Sequence, residues 1–219
     1  MGRLIVIEGL DGSGKTTQGK LLAERLRKEG KKVREPSFPC YGEKSASLVE
    51  MYLSGELGGS PSDTNGYAAS VFYAADRYIS YVTDWKKDME DSECIVLATR
   101  YTTANAYHQL SKLDREEWDG FLAWLYDLEF GKIGLPRPDK VVLLSMDRSI
   151  STENVKDRSV KTGQKMDIHE KDGDYLARCA AAAHFAAEAD GWSIINCAPE
   201  GVLLPVSEIN DKIREAIGL

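Results

Sequence analysis

The chain has 219 residues, 42% of them hydrophobic, which is enough for one large core and predicts a single α/β domain rather than two independent folds. Its 28 Lys and Arg stand against 35 Asp and Glu, a net charge of −7, so it lacks the overall basic footprint of a sequence-independent nucleic-acid binder. No apolar run approaches the roughly 20 residues of a membrane span, and Cys40, Cys94, Cys179 and Cys197 are scattered without a paired motif. With no leader-like segment at the start, these features predict a cytoplasmic protein with reduced thiols.

The apolar run Leu4 to Ile7 reads as a strand and Thr17 to Glu29 as a helix. Between them lies Gly9-Leu10-Asp11-Gly12-Ser13-Gly14-Lys15-Thr16, a phosphate-loop pattern in its required strand and helix context. Gly9, Gly12 and Gly14 let consecutive backbone N–H groups turn inward on phosphate oxygens, and Ser13 and Thr17 belong to the same cradle. The helix start adds its positive dipole end. Lys15 is expected on the β- and γ-phosphates and the Thr16 hydroxyl on Mg²⁺, with ATP as the nucleotide.

Lys32 to Glu35 reads as a second strand, stopped by Pro36 and Pro39. The loop that follows begins at a strand's carboxyl end, where open parallel sheets bind ligands, and makes Phe38, Cys40 and Tyr41 substrate-side candidates. Ser45 to Ser54 and Asp63 to Lys87 read as helices. In the second, Tyr73 and Arg77 share a face, either as a base-stacking platform with a hydrogen-bonding guanidinium or as helix packing beside a solvated charge.

Cys94 to Ala98 is a fully apolar run, as in a strand buried on both faces, and ends at Arg100, which is suited to bidentate phosphate binding. Asp114 to Phe130 is helical, with an apolar stripe of Trp118, Phe121, Leu122, Leu125 and Leu128 for core or subunit contact. Lys140 to Ser145 and Trp192 to Asn196 complete a five-stranded parallel sheet with right-handed crossovers. Between them the polar stretch 147–174 reads as a mobile lid carrying Arg148, Arg158, Lys161, Lys165 and Lys171, followed by a helix over Ala177 to Ala189.

Taken together these residues resemble the thymidylate kinase family of nucleoside monophosphate kinases over essentially the whole chain. The segments that carry the likeness are Glu8 to Thr17, Phe38-Pro39, Tyr73 to Arg77, Arg100-Tyr101 with Asn105, and Gly134 to Asp139. The resemblance implies phosphoryl transfer from ATP to dTMP. Asp11 would approach the acceptor sugar, Tyr73 stack on thymine, Arg77 contact its exocyclic oxygen, and Arg100 and Asn105 approach the acceptor phosphate and base. Lys15, Arg100 and a lid cation such as Arg158 would be catalytic, and Thr16 and Glu170 are the metal-side candidates.

Three positions depart from the family pattern. Thr99 stands where a carboxylate is usual, Cys40-Tyr41 where an arginine often follows Phe-Pro, and His108, preceded by Tyr107, where an aromatic commonly crowds the ribose 2′ position. The alternatives are a nucleotide-binding regulator with lost activity, or a kinase for another monophosphate. The resemblance also implies a homodimer, formed through apolar helix faces such as that of Asp114 to Phe130.

Overall fold

A computed structural model describes residues 1–162 and 167–219, with the side chains of 148, 156–159, 161, 162 and 171 outside that description. Five parallel strands are ordered β2-β3-β1-β4-β5, namely β1 (Arg3–Glu8), β2 (Lys32–Arg34), β3 (Cys94–Ala98), β4 (Lys140–Ser145) and β5 (Ser193–Asn196). The central three are apolar along almost their whole length because both faces are covered. Side chains alternate across the sheet, so Leu4 and Val6 of β1 join one core while Ile5 and Ile7 join the other.

On one face lie α1 (Lys15–Lys28) and α10 (Val206–Ile217), which contribute Leu22, Ala23 and Leu26, and Ile209, Ile213 and Ile217. The opposite face carries α5 (Thr102–Leu110), α6 (Trp118–Tyr126) and α9 (Gly173–Ala189), with Phe121, Leu125, Tyr175 and the alanines of α9 in the core. Small side chains let α9 approach α5 closely. At the rim, α2 (Ser47–Ser54) and α3 (Gly66–Ser80) enclose a smaller apolar cluster of Val49, Tyr52, Leu53 and Ala69.

Several expected elements change form. The helix expected over Asp63 to Lys87 is α3, a π-turn over Tyr81–Trp85, and α4 (Lys86–Glu90), with Trp85 fully buried at the turn. The apolar stripe of Asp114 to Phe130 is core: Phe121 and Leu125 are fully buried within this chain, so that face is not free for a subunit contact. The expected lid is helical where it is described, as α7 (Arg148–Thr162) and α8 (Ile168–Lys171). Lys165 lies outside the described residues, as do the side chains of Arg148, Arg158, Lys161 and Lys171.

The C-terminal helix closes one core through three fully or nearly fully buried isoleucines. Replacing Ile213 with Ala leaves a cavity that little around it can fill, at a cost of about 2–5 kcal/mol. Urea unfolding followed by far-UV circular dichroism will show the midpoint fall with the slope unchanged.

Candidate active site

The phosphate loop leaves the carboxyl end of β1, the middle strand. Gly12 and Gly14 both hold positive φ, 81° and 83°, so side chains there would strain the loop. Gly12 is constrained twice, since a Cβ would lie 2.1 Å from the Ser151 carbonyl oxygen of α7. Asn154 of α7 also donates to the Gly12 carbonyl at 2.8 Å, so the lid helix rests directly on the loop.

Glu8, the last residue of β1, is fully buried and ties the loop to the start of α5. It accepts from the Tyr101 amide at 2.9 Å, the Thr103 hydroxyl at 2.6 Å and the Tyr107 hydroxyl at 3.1 Å. Burial pushes its carboxyl up, opposed first by the Thr103 bond and then by Arg100. This brace fixes the backbone on the C-terminal side of Arg100.

Asp11, Lys15 and Arg100 meet at one carboxylate. Lys15 Nζ is 3.3 Å from Asp11 Oδ1 and donates to the Leu10 carbonyl at 3.2 Å, while Arg100 Nη2 pairs with the same Asp11 oxygen. Burial works to raise the Asp11 carboxyl, but Arg100 and Lys15 together hold it well below the ordinary range. Burial, then the nearby Arg100 charge, push the Lys15 ammonium down to about 8 against the pull of Asp11.

A cavity of about 610 Å³ opens beside this cluster. Asp11, Lys15, Thr16, Phe38, Tyr41, Tyr73, Arg77, Arg100, Asn105, His108 and Glu170, all expected at the site, line it. Gly9, Gly12, Ser13, Gly14 and Thr17 do not; Ser13 instead borders a small cavity of about 30 Å³ under α7. The Phe38 loop is held to α3 by Asp76, which accepts from the Cys40 amide at 3.0 Å and the Ser45 hydroxyl at 2.6 Å.

Arg77 is not a solvated charge. It is 2% exposed and makes two bonds to the fully buried Glu129, from Nε at 2.8 Å and from Nη2 at 2.5 Å. Glu129 also accepts from Thr102 at 2.7 Å and Asn105 at 3.3 Å, which leaves the rest of the Arg77 guanidinium for the cavity it lines. Asn105 Oδ1 and both amide atoms of Gln109 are buried and have no protein partner among the described residues. Both residues line the cavity, and unpaired buried amides are costly unless a ligand completes them.

Gln109, Glu129 and His169 were not singled out from the sequence. Gln109 stands four residues after Asn105, a same-face spacing that is visible once α5 is known to be helical. His169 and Asp167 flank the expected Glu170 site, on or just before α8. Burial, with Glu170 and Asp11 nearby, pushes the Asp167 carboxyl up to about 6, although its bond from the Glu170 amide opposes this.

Thr99 turns its methyl toward α1, where a Cβ on Gly19 would lie 2.4 Å from it. No group of three His, Cys, Asp or Glu among the described residues is disposed to hold a metal without a ligand's help. Mg²⁺ does not require such a cage, since it takes one or two carboxylates with substrate phosphates and water. Thr16 and Glu170, both on the cavity, fit that donor set.

A parallel sheet with a phosphate loop on its central strand, beside a cavity that aromatic and amide groups also line, defines a nucleotide-binding α/β phosphotransferase. The family model described as thymidylate kinase matches residues 7–209, and the chain belongs to that family. It is 32% identical over 192 residues to a thymidylate kinase of Mycobacterium tuberculosis, covering 86% of this chain and 87% of the relative. A probable thymidylate kinase of Thermococcus gammatolerans is 34% identical over 168 residues, covering 74% of each. The solved thymidylate kinase of Candida albicans shares the fold, with a TM-score of 0.70 at 19% identity over 99% of this chain and 91% of that one.

Phosphate binding favours charged Lys15, so affinity for a nucleoside triphosphate will fall as pH rises through about 8. The fall approaches tenfold per pH unit, as expected for one linked proton. Titrating a fluorescent ATP analogue from pH 6.5 to 9.5 will show this. Asp11→Asn removes a partner that raises the lysine and will move the onset to lower pH.

Proposed function

We propose that residues 1–219 form one catalytic unit that transfers the γ-phosphoryl group of ATP to the 5′-phosphate of dTMP, giving dTDP and ADP. The observation that carries this reading is one cavity whose wall holds Lys15 and Thr16 of the phosphate loop, Arg100, and the cluster of Tyr73, Asn105 and Gln109. The free donor and acceptor of the Gln109 amide complement the N–H and carbonyl of a pyrimidine imide. Tyr73 supplies the stacking face and Arg77 the remaining guanidinium N–H groups for an exocyclic oxygen.

The attacking oxygen belongs to a phosphomonoester whose second ionisation lies near pKa ~6, so it is already an anion at neutral pH. No general base is needed. Catalysis is the alignment of two polyanions and neutralisation of their charge, with Lys15 on the donor and Arg100 on the acceptor. Mg²⁺ held by Thr16 and Glu170 would supply further neutralisation of the phosphate oxygens. Among the lid cations Arg158 is the candidate for the transferring group, and closure of the lid excludes water. No helix of the described residues is long and apolar enough to cross a membrane, in keeping with a cytoplasmic enzyme.

A homodimer fits a different surface from the α6 stripe. Tyr67, Val71, Tyr78 and Val82 recur at intervals of four, seven and four residues along α3 and its π-turn, each more than 40% exposed. That is one face of a helix.

An ADP-release assay with and without acceptor tests the reaction. Turnover will rise strongly with dTMP, and a panel of dTMP, dUMP, UMP and dGMP will rank dTMP first. Lys15→Ala will lower it by about 10² to 10³; near-normal transfer in that variant, or release indifferent to acceptor, sinks the proposal. Sedimentation of the parent chain and of Val71→Glu tests assembly, with a dimer expected to become a monomer and a monomeric parent ruling the interface out.

A further inference from the structure

Arg100 must present its guanidinium at a fixed angle, and Asp11 grips only one of its arms. The other arm, Nη1, lies 3.2 Å from His108 Nε2. A guanidinium can only donate, so this imidazole nitrogen is the acceptor and the ring proton sits on Nδ1. On that side Nδ1 faces the Tyr175 hydroxyl at 3.2 Å and Cys179 Sγ at 3.5 Å. The hydroxyl proton of Tyr175 is committed to the His108 carbonyl at 3.0 Å, so Tyr175 accepts from Nδ1 and fixes the tautomer.

We propose that His108 is a positioning residue that acts through Arg100, its unprotonated Nε2 holding one arm of the guanidinium so that the remaining N–H groups meet the acceptor phosphate. The inference rests on the reading of Arg100 as the acceptor-phosphate ligand. It differs from the sequence expectation that this position borders the ribose 2′ carbon. Burial, together with His169 and Arg100, holds the His108 imidazole well below its ordinary range, in agreement with a neutral ring.

The support extends to the lid. His169 of α8 stacks on His108 with ring centroids 5.1 Å apart at 26°. Its own Nε2 is 2.7 Å from the Tyr52 hydroxyl, which takes a bond from Lys112 at 2.9 Å and so directs its proton to the imidazole. Docking of α8 thus covers the ring that holds Arg100.

Four variants decide the matter: His108→Leu, His108→Asn, His108→Gln and Arg100→Ala. Leucine has no acceptor and the asparagine amide stops short of the Nε2 position, whereas glutamine can place an oxygen there. Steady-state kinetics with both substrates will show KM for dTMP raised about ten- to a hundredfold by His108→Leu and His108→Asn, the scale of a lost hydrogen bond to a charged group. KM for ATP will be unchanged, and His108→Gln will recover most of the loss. Adding His108→Leu to Arg100→Ala will cost nothing more, because both act on one contact.

Unchanged dTMP kinetics in both His108→Leu and His108→Asn overturn the inference. So does a shift in the dUMP to UMP preference with KM for dTMP intact, which would make His108 a direct sugar contact. Near-normal activity of Arg100→Ala would instead defeat the functional reading, and the two failures are therefore distinguishable.

Discussion

Burial of like charges around one carboxylate is the constraint on which the site depends. Lys15 and Arg100 would repel each other in a poorly solvated crevice, and Asp11 lies between them. The carboxylate belongs to the phosphate loop while Arg100 belongs to the end of β3, so their pairing draws the two strand ends together. Glu8 makes a second junction between the same two segments, this time to backbone and hydroxyl groups. With both ties in place the loop cannot move without moving Arg100.

The same economy governs the acceptor side. Arg77 is held by a buried carboxylate on a neighbouring helix, and Asn105 shares that carboxylate. A buried ion pair gives little net stability, because desolvation offsets the Coulombic attraction, but it fixes orientation. The amide atoms of Asn105 and Gln109 that have no partner among the described residues then face a cavity whose shape and polarity suit a flat polar ligand.

Much of this was legible in the sequence. The three central strands stand out as short β-branched and apolar runs, β2 only as the stretch stopped by Pro36, and the phosphate loop as glycines at fixed spacing between a strand and a helix. Of the helices that escaped, α7 lay in the polar stretch read as a lid, and α5 and α10 were missed for opposite reasons. All nine residues of α5 are buried, Thr102, Thr103, Asn105, His108 and Gln109 included, so polarity along the sequence does not separate a core face from a solvent face. In α10 the period is plain at Ile209, Ile213 and Ile217, but the stretch follows the last strand and carries no chemistry that drew attention to it. Missing α5 hid the Asn105 and Gln109 pairing, and the partners of Arg77 and His108 lie 52 and 67 residues away in sequence, where no local pattern reports them.

Thr99 shows how the remaining charge must be arranged. Its methyl group fills the space that a side chain at position 19 would need, so Thr99 and Gly19 are matched by shape. The described cavity wall already holds four carboxylates, Asp11, Glu50, Asp167 and Glu170, against three cations, Lys15, Arg77 and Arg100. Arg77 is neutralised by Glu129, which leaves two cations for two incoming polyanions. A fifth carboxylate at position 99 would deepen that deficit. In the proposed reaction the positive charge still needed would come as metal with the substrates or from α7, whose sequence carries Arg148, Arg158 and Lys161 and whose backbone lies against Gly12.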